Sequence, residues 1–226
     1  MATEVDISNL ALAYIGDESG LSSINPPDGS AQAEHCQRFY PIARDSMLNL
    51  HRWSFASRRV LLAEVTNEWT NWKYAYGYPQ DCMTAVAIMP SDAEDDYSTR
   101  FVPTDTPYYG LNYSPVIAAG QYVPQVFSVE TNTLGNRVIY ANQENAILRY
   151  QGYVTDAGKF PPLFTMALSW HLASMLAGVI IKGEQGAATA KRCIDAMGGY
   201  LQQARAQDGS ERQITPAHIV PWQSGR

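Results

Sequence analysis

Cysteine is scarce in this 226-residue chain: Cys36, Cys82 and Cys193 are far apart and odd in number. No CxxC pair occurs, so neither a disulfide framework nor a zinc ribbon is expected. Positive charge is short as well, with 16 Lys and Arg against 22 Asp and Glu, a formal net charge of −6. Nucleic-acid binders present a basic face, so this balance argues against one. An acidic wall would still let DNA slide past without sticking. Long hydrophobic runs are missing too. The most apolar stretch, Leu163–Ile181, is interrupted by Thr165, Ser169, His171 and Ser174. It reads as a buried helix rather than a membrane span. Met1–Leu12 has neither the basic start nor the apolar core of a signal peptide, so a soluble chain made in the cytoplasm is expected.

Chemical signatures are equally sparse. There is no GxxxxGK[ST] phosphate loop, no GxGxxG, no HExxH and no GxSxG. Gly183, Gly186, Gly198 and Gly199 lie in helical surroundings and suit close packing better than phosphate binding. His35 and Cys36 are adjacent, so on a helix they point about 100° apart and cannot chelate one ion together. His171 sits on an apolar stripe and is expected to be a hydrogen-bonded core histidine. His51 lies near a helix end, where its cation would favour the dipole. Asp92, Glu94, Asp95 and Asp96 form the densest acidic cluster. They lack the Asp-x-Asp-x-Asp-Gly order of a calcium loop and read as a solvated loop. No catalytic residue, cofactor or metal ligand is assigned.

What is present is organisation. Ile7, Leu10 and Tyr14 recur at three- and four-residue spacing, predicting a short helix with Gly16 as its stop. Ser30 is a fair N-cap for a longer helix carrying Cys36, Tyr40, Ala43, Met47 and Leu50 on one stripe. Pro41 sits inside that run, where a kink or break is expected. From about Ser54 to Tyr153 the chain is rich in Tyr, Val and Thr and reads as β. Trp72, Tyr74, Tyr76 and Tyr78 alternate with other residues, which predicts four rings on one strand face. That face is either packed in a core or a contact surface. Val138–Ala141 and Ile147–Tyr150, with a turn at Asn142–Asn145, look like a hairpin. Ser91–Asp96 and Thr104–Ser114 read as loops.

Pro161 and Pro162 suit a helix start, followed by the stripe Phe164, Leu168, His171 or Leu172, Met175 and Val179. After Gly183 a second helix places Ala190, Ile194, Met197, Leu201 and Ala204 on one face, so the two form an antiparallel hairpin. The expected fold class is therefore α+β: a helical bundle built from N- and C-terminal helix pairs, with an inserted, mainly antiparallel β domain. Residues 1–53 and 154–208 form the bundle, 54–153 the insertion, and 209–226 an extended C-terminal arm.

Two stretches resemble a known family. The first combines Asn9-Leu10-Ala11-Leu12, Ile15-Gly16, Phe39-Tyr40-Pro41, Ala43-Arg44-Asp45, Leu48, His51, Trp53, Phe55 and Ala56. The second is the terminal helix hairpin with Leu172-Ala173, Leu176-Ala177, Ala190, Tyr200 and Ala204-Arg205-Ala206. Together they are similar to the tail tubular protein A family of short-tailed bacteriophages, the head-to-tail adaptors below the portal. The resemblance covers both helical ends, roughly half of the chain. It implies a structural virion protein rather than an enzyme, located in the neck of the particle. Its expected partners are further copies of itself in a ring of twelve, the portal protein, the sixfold tail nozzle, and DNA passing without sequence-specific contact. No membrane partner is implied. Candidate interface residues are Trp72, Tyr74, Tyr76 and Tyr78 on the β insertion, with Trp222 and Ile219 on the arm. The alternative is a tail-associated hydrolase of cell-wall or capsule glycans, which needs an acid pair in a cleft; nothing in the sequence singles one out. A free carbohydrate-binding β module would explain the aromatic stripe but leave both helix pairs unexplained.

Overall fold

The computed structural model describes residues 2–91 and 125–211. Among the described residues it is a mixed helix-and-sheet fold with four α-helices and six strands in two small antiparallel sheets, an α+β protein. The chain divides into two compact units, Met1–Phe55 with Val154–Arg226, and Ala56–Tyr153.

In the helical unit, α1 spans Glu4–Ile15 and starts at a capping box. The Asp6 amide donates to the Thr3 hydroxyl at 3.1 Å, and the Thr3 amide donates back to the Asp6 carboxylate at 2.8 Å. Each satisfies a donor that the helix start leaves open. Gly16 ends α1 with φ 85°, a left-handed cap that glycine adopts without strain. The buried face is Ile7, Ala11, Leu12 and Ile15. Leu10, expected on it, is 37% exposed, because α1 turns its Ile7–Ala11 side to its partner helix. Tyr14 keeps its expected role at the edge, stacked on Trp170 at 3.8 Å.

Helix α2 (Ala31–Asn49) is capped by Ser30, whose hydroxyl accepts from the Ala33 amide at 3.1 Å. It runs on through Pro41 without a break. Cys36, Tyr40, Ala43 and Met47 are buried as spaced. Helix α3 (Pro162–Ile180) packs against α1, α2 and the 28-residue α4 (Gly183–Ser210), whereas α1 and α2 barely touch. The center of the unit is thus α3, with Phe164, Leu168, Leu172 and Leu176 at zero exposure. Burying side chains of this size contributes roughly 1.5–3 kcal/mol each. By length and mean hydropathy (1.6) α3 could also cross a membrane, but half of that window is packed inside the chain.

Lys182 and Gly183, both at positive φ, join α3 to α4. A Cβ on Gly186 would lie 3.0 Å from the Ala177 carbonyl, so the helices approach backbone to backbone there. Gly198 and Gly199, by contrast, have open space where a Cβ would stand; close packing within the chain does not explain them. The α4 stripe also differs from expectation. Cys193 is fully buried and Ile194 is 50% exposed. Helix α4 continues through Gly209 and Ser210, two residues into the stretch expected to be an extended arm.

In the β unit, β1 (Ser57–Leu61), β6 (Ile147–Gly152) and β3 (Cys82–Met89) form one sheet in the order β1-β6-β3. The other holds β2 (Tyr74–Gly77), β5 (Arg137–Ala141) and β4 (Phe127–Thr131) in the order β2-β5-β4. Both expected hairpin strands exist, but they belong to different sheets and do not pair. The true hairpin is β4–β5, closed at Asn132–Asn136 with Gly135 at φ 82°. The five-residue link after β5 crosses between sheets instead of turning back. It is held on both sides: Leu62 donates to the Ala146 carbonyl at 2.9 Å, and the Tyr76 hydroxyl to the Gln143 carbonyl at 2.6 Å. Tyr76, Ile139 and Ala141 from one sheet share a core with Ile88, Leu148 and Tyr150 from the other.

Candidate functional site

Two clusters in the helical unit contain the residue types of a hydrolase. Ser46 Oγ lies 2.9 Å from His171 Nε2. Its own proton goes to the Ala43 carbonyl at 2.8 Å, so the imidazole donates at Nε2 rather than accepting. Nδ1 is buried with no hydrogen-bond partner among the described residues, so no acid orients the ring as an activated serine requires. Burial holds this imidazole below its ordinary value, which keeps it neutral. His171 is a half-buried histidine tied to α2, not the fully buried core residue expected.

The second cluster is built around Asp208 near the end of α4. His51 Nε2 lies 3.1 Å from Asp208 Oδ2, while the Ser54 amide and hydroxyl donate to Oδ1 at 2.8 and 2.6 Å. The Ser54 hydroxyl also lies 2.8 Å from Glu211 Oε2. The carboxylate occupies the middle of this array. A triad needs the imidazole there, between acid and nucleophile; this geometry instead locks the 50–54 segment onto α4. Arg205 adds a hydrogen bond to the Leu50 carbonyl at 2.7 Å. All three cysteines are free and buried, and burial pushes the Cys36 thiol up to about 11. Among the described residues no group of three or more His, Cys, Asp or Glu side chains could hold a metal.

The β unit carries an open groove of about 670 Å³. That volume lies in the range of ligand-sized sites, roughly 300–1,000 Å³. Three segments form its walls: Val65–Glu68, the turn from Gly77 to Cys82, and the β4–β5 turn from Asn132 to Val138. Tyr153 closes one side and is 42% exposed. Leu134, at the tip of the turn, is 79% exposed. The Arg137 guanidinium carbon stands 3.8 Å from the centroid of the Tyr78 ring, a cation–π contact that fixes the charged plane. Burial pushes the Tyr78 hydroxyl up to about 12. Glu68, also in the wall, accepts from the Thr133 amide and hydroxyl at 3.1 and 2.9 Å.

The expected four-ring face splits. Tyr76 is 2% exposed and its hydroxyl is bonded, so it is a core residue rather than a contact surface. Tyr74 stacks beside it at 6.3 Å and is half-buried in the same cluster, as is Tyr78. Trp72 precedes β2 and packs with Ala75, Val138 and Tyr140, a different cluster. Period two holds only where the backbone is a strand, and β2 begins at Tyr74. Of the four, Tyr78 alone lines the groove. Trp222, Ile219 and the acidic cluster Asp92–Asp96 lie outside the described residues. Sequence reasoning missed Arg137 and Leu134 because each is a single residue in an unremarkable strand or turn; the Asn-rich turn around Leu134 was the available signal.

No family model matches the chain, and no curated protein matches it.

Proposed function

We propose that this chain is a structural virion protein: a head-to-tail adaptor whose copies form a ring between portal and tail nozzle and line the DNA channel. The observation that carries this reading is the chain's division. Residues from both ends belong to one helical unit, and the β unit is a single insertion between Phe55 and Val154. That is the layout implied by the resemblance, with α1 and α2 joining α3 and α4 as one helical bundle. The acidic composition suits a wall past which DNA moves. The glycan-hydrolase alternative needs an acid pair in a cleft, and among the described residues the groove wall offers one carboxylate, Glu68, which is held by Thr133.

In a cyclic ring each copy offers two different patches, and these heterologous contacts must close. On the described helical unit the exposed large apolar residues are few: Leu10, Ile42, Leu50 and Ile194. Such a chain is expected to be monomeric or weakly associated until a portal templates it. Co-sedimentation with the portal tests the reading. A complex containing several copies per portal subunit ring is expected, and a chain that stays at the top of the gradient contradicts it. A stable dodecamer of the isolated chain would remove the templating step but leave the ring.

A further inference from the structure

We infer that the groove of the β unit is a docking site for an acidic peptide. Its occupant is an extended segment of a partner protein in which carboxylates lie among aliphatic side chains. A carboxylate takes Arg137, and the apolar side chains pack on Leu134, Val65 and Tyr153. The inference goes beyond the ring reading and does not depend on it.

The cation is the first observation. Arg137 is exposed and begins β5. Its carbonyl accepts from the Tyr78 amide at 3.3 Å, and its guanidinium carbon stands 3.8 Å from the Tyr78 ring centroid. One residue thus fixes both its backbone and its side chain. Among the described residues no carboxylate pairs with Arg137, whereas Arg44, Arg58, His51 and Lys159 each have one. The carboxylate in the described wall, Glu68, is taken up by the Thr133 amide and hydroxyl. A stacked guanidinium keeps its N–H edge open, and little freedom is lost when a carboxylate binds there as a fork.

The rim is the second. Leu134 is 79% exposed, and its turn holds it there. The Asn132 side-chain oxygen accepts from the Leu134 and Asn136 amides at 3.1 and 2.8 Å, while Glu68 ties down Thr133. Val65 and Tyr153, 38% and 42% exposed, stand on the other walls. The large apolar side chains exposed on the described β unit are these three with Leu61, Trp69 and Val126, so half of them share this groove. Apolar side chains gathered beside a cation mark an interaction site, and Tyr and Arg are the residues that anchor one.

The occupant follows from the two together. Such a site takes a ligand that carries a carboxylate and apolar groups close to each other. A peptide mixing Asp or Glu with Leu, Ile or Val supplies both. Its backbone can bond the side-chain amides of Gln80 and Asn136, which no protein group takes up among the described residues. A volume of about 670 Å³ suits a few side chains of an extended segment. An acidic sugar fits less well. Sugar rings stack on open aromatic faces, but Arg137 covers the Tyr78 face and the most exposed side chain of the rim is aliphatic.

The test titrates the full chain into a fluorescein-labelled octapeptide, Gly-Glu-Leu-Leu-Glu-Leu-Glu-Gly, at low salt, with anisotropy as the readout. Saturable binding is expected, weakening as salt screens the ion pair. Arg137→Gln should weaken it about tenfold or more, the loss of a charged hydrogen bond, and Arg137→Lys by less. Leu134→Ser, at a site with no packing to lose, should weaken it about fivefold through lost apolar cover. The circular dichroism of each variant should match wild type. The peptide with Gln in place of Glu, and that with Ser in place of Leu, should each bind more weakly than the parent. No binding by wild type overturns the proposal, as does unchanged binding by Arg137→Gln or by Leu134→Ser. An oligogalacturonate or inorganic phosphate that displaces the peptide at equal concentration would make the groove a sugar-acid or simple anion site and would overturn it too. Asp92→Asn, Glu94→Gln, Asp95→Asn and Asp96→Asn together should leave peptide binding as in wild type. Binding seen only in that variant would mean that the chain's own acidic segment fills the groove, against the proposal.

Discussion

His51 and Asp208 are 157 positions apart in the chain, yet the imidazole Nε2 and carboxylate Oδ2 lie 3.1 Å from each other. With Ser54 on the other carboxylate oxygen, Asp208 joins the residues just after α2 to the last turn of α4. Replacing Asp208 by Ala leaves the Ser54 amide and hydroxyl and the His51 ring without their acceptor. A loss of about 1–3 kcal/mol is expected. Asp208→Asn, which keeps an acceptor oxygen for Ser54, should lose less. Urea unfolding of the two variants decides the point, and equal losses would mean that the hydrogen bonds to Ser54 contribute nothing.

Trp53 fills the center of the same unit. It is 1% exposed, meets Phe164 edge-on at 4.9 Å, and donates from Nε1 to the Met47 carbonyl at 3.0 Å. Trp53→Ala should cost about 3–5 kcal/mol through the cavity it leaves. Trp53→Phe should cost less while still losing the hydrogen bond. Thermal unfolding followed by circular dichroism measures both.

The helical glycines divide into two kinds. At Gly186 a methyl group would press on the Ala177 carbonyl at 3.0 Å, so Gly186→Ala should destabilise the α3–α4 pair. Gly198 has open space around the same position. Gly198→Ala should therefore stabilise α4 by about 0.5–1 kcal/mol, the usual advantage of alanine in a helix interior. Opposite shifts in the denaturation midpoint are expected, and shifts of the same sign would contradict the packing described here.

His171 gives the fold a pH dependence. Burial lowers its proton affinity below the ordinary 6.5. The unfolded chain takes up the proton near that value, and the folded chain only at lower pH. Stability from the neutral ring is thus complete above about 6.5 and declines as pH falls below it. His171→Gln should flatten that part of the stability–pH curve. A variant curve parallel to wild type between pH 7 and 5 would refute the assignment.

The sequence made some of this legible and hid the rest for physical reasons. Helix limits were readable because caps are local: Ser30 and Gly16 act on amides and carbonyls a few positions away. The burial of α3 followed from its composition. Which side of α1 faces inward was not readable, since Leu10 and Ala11 are both apolar and only contact with α3 selects between them. Strand pairing failed in the same way. Residues 137–141 and 147–152 are well-formed strands, but a short link can either turn back or cross to a second sheet, and tertiary bonds from Leu62 and Tyr76 settle it. The groove was hidden because its parts come from segments about 70 positions apart, Val65–Cys82 and Asn132–Val138, and Arg137 becomes notable only once Tyr78 lies beneath it.

The proposed ring of copies would be visible directly by electron microscopy of the full chain mixed with a portal. Class averages are expected in which added density forms a closed, twelvefold ring on one face of the portal, with the channel left open. Bare portals beside unattached single chains would contradict it.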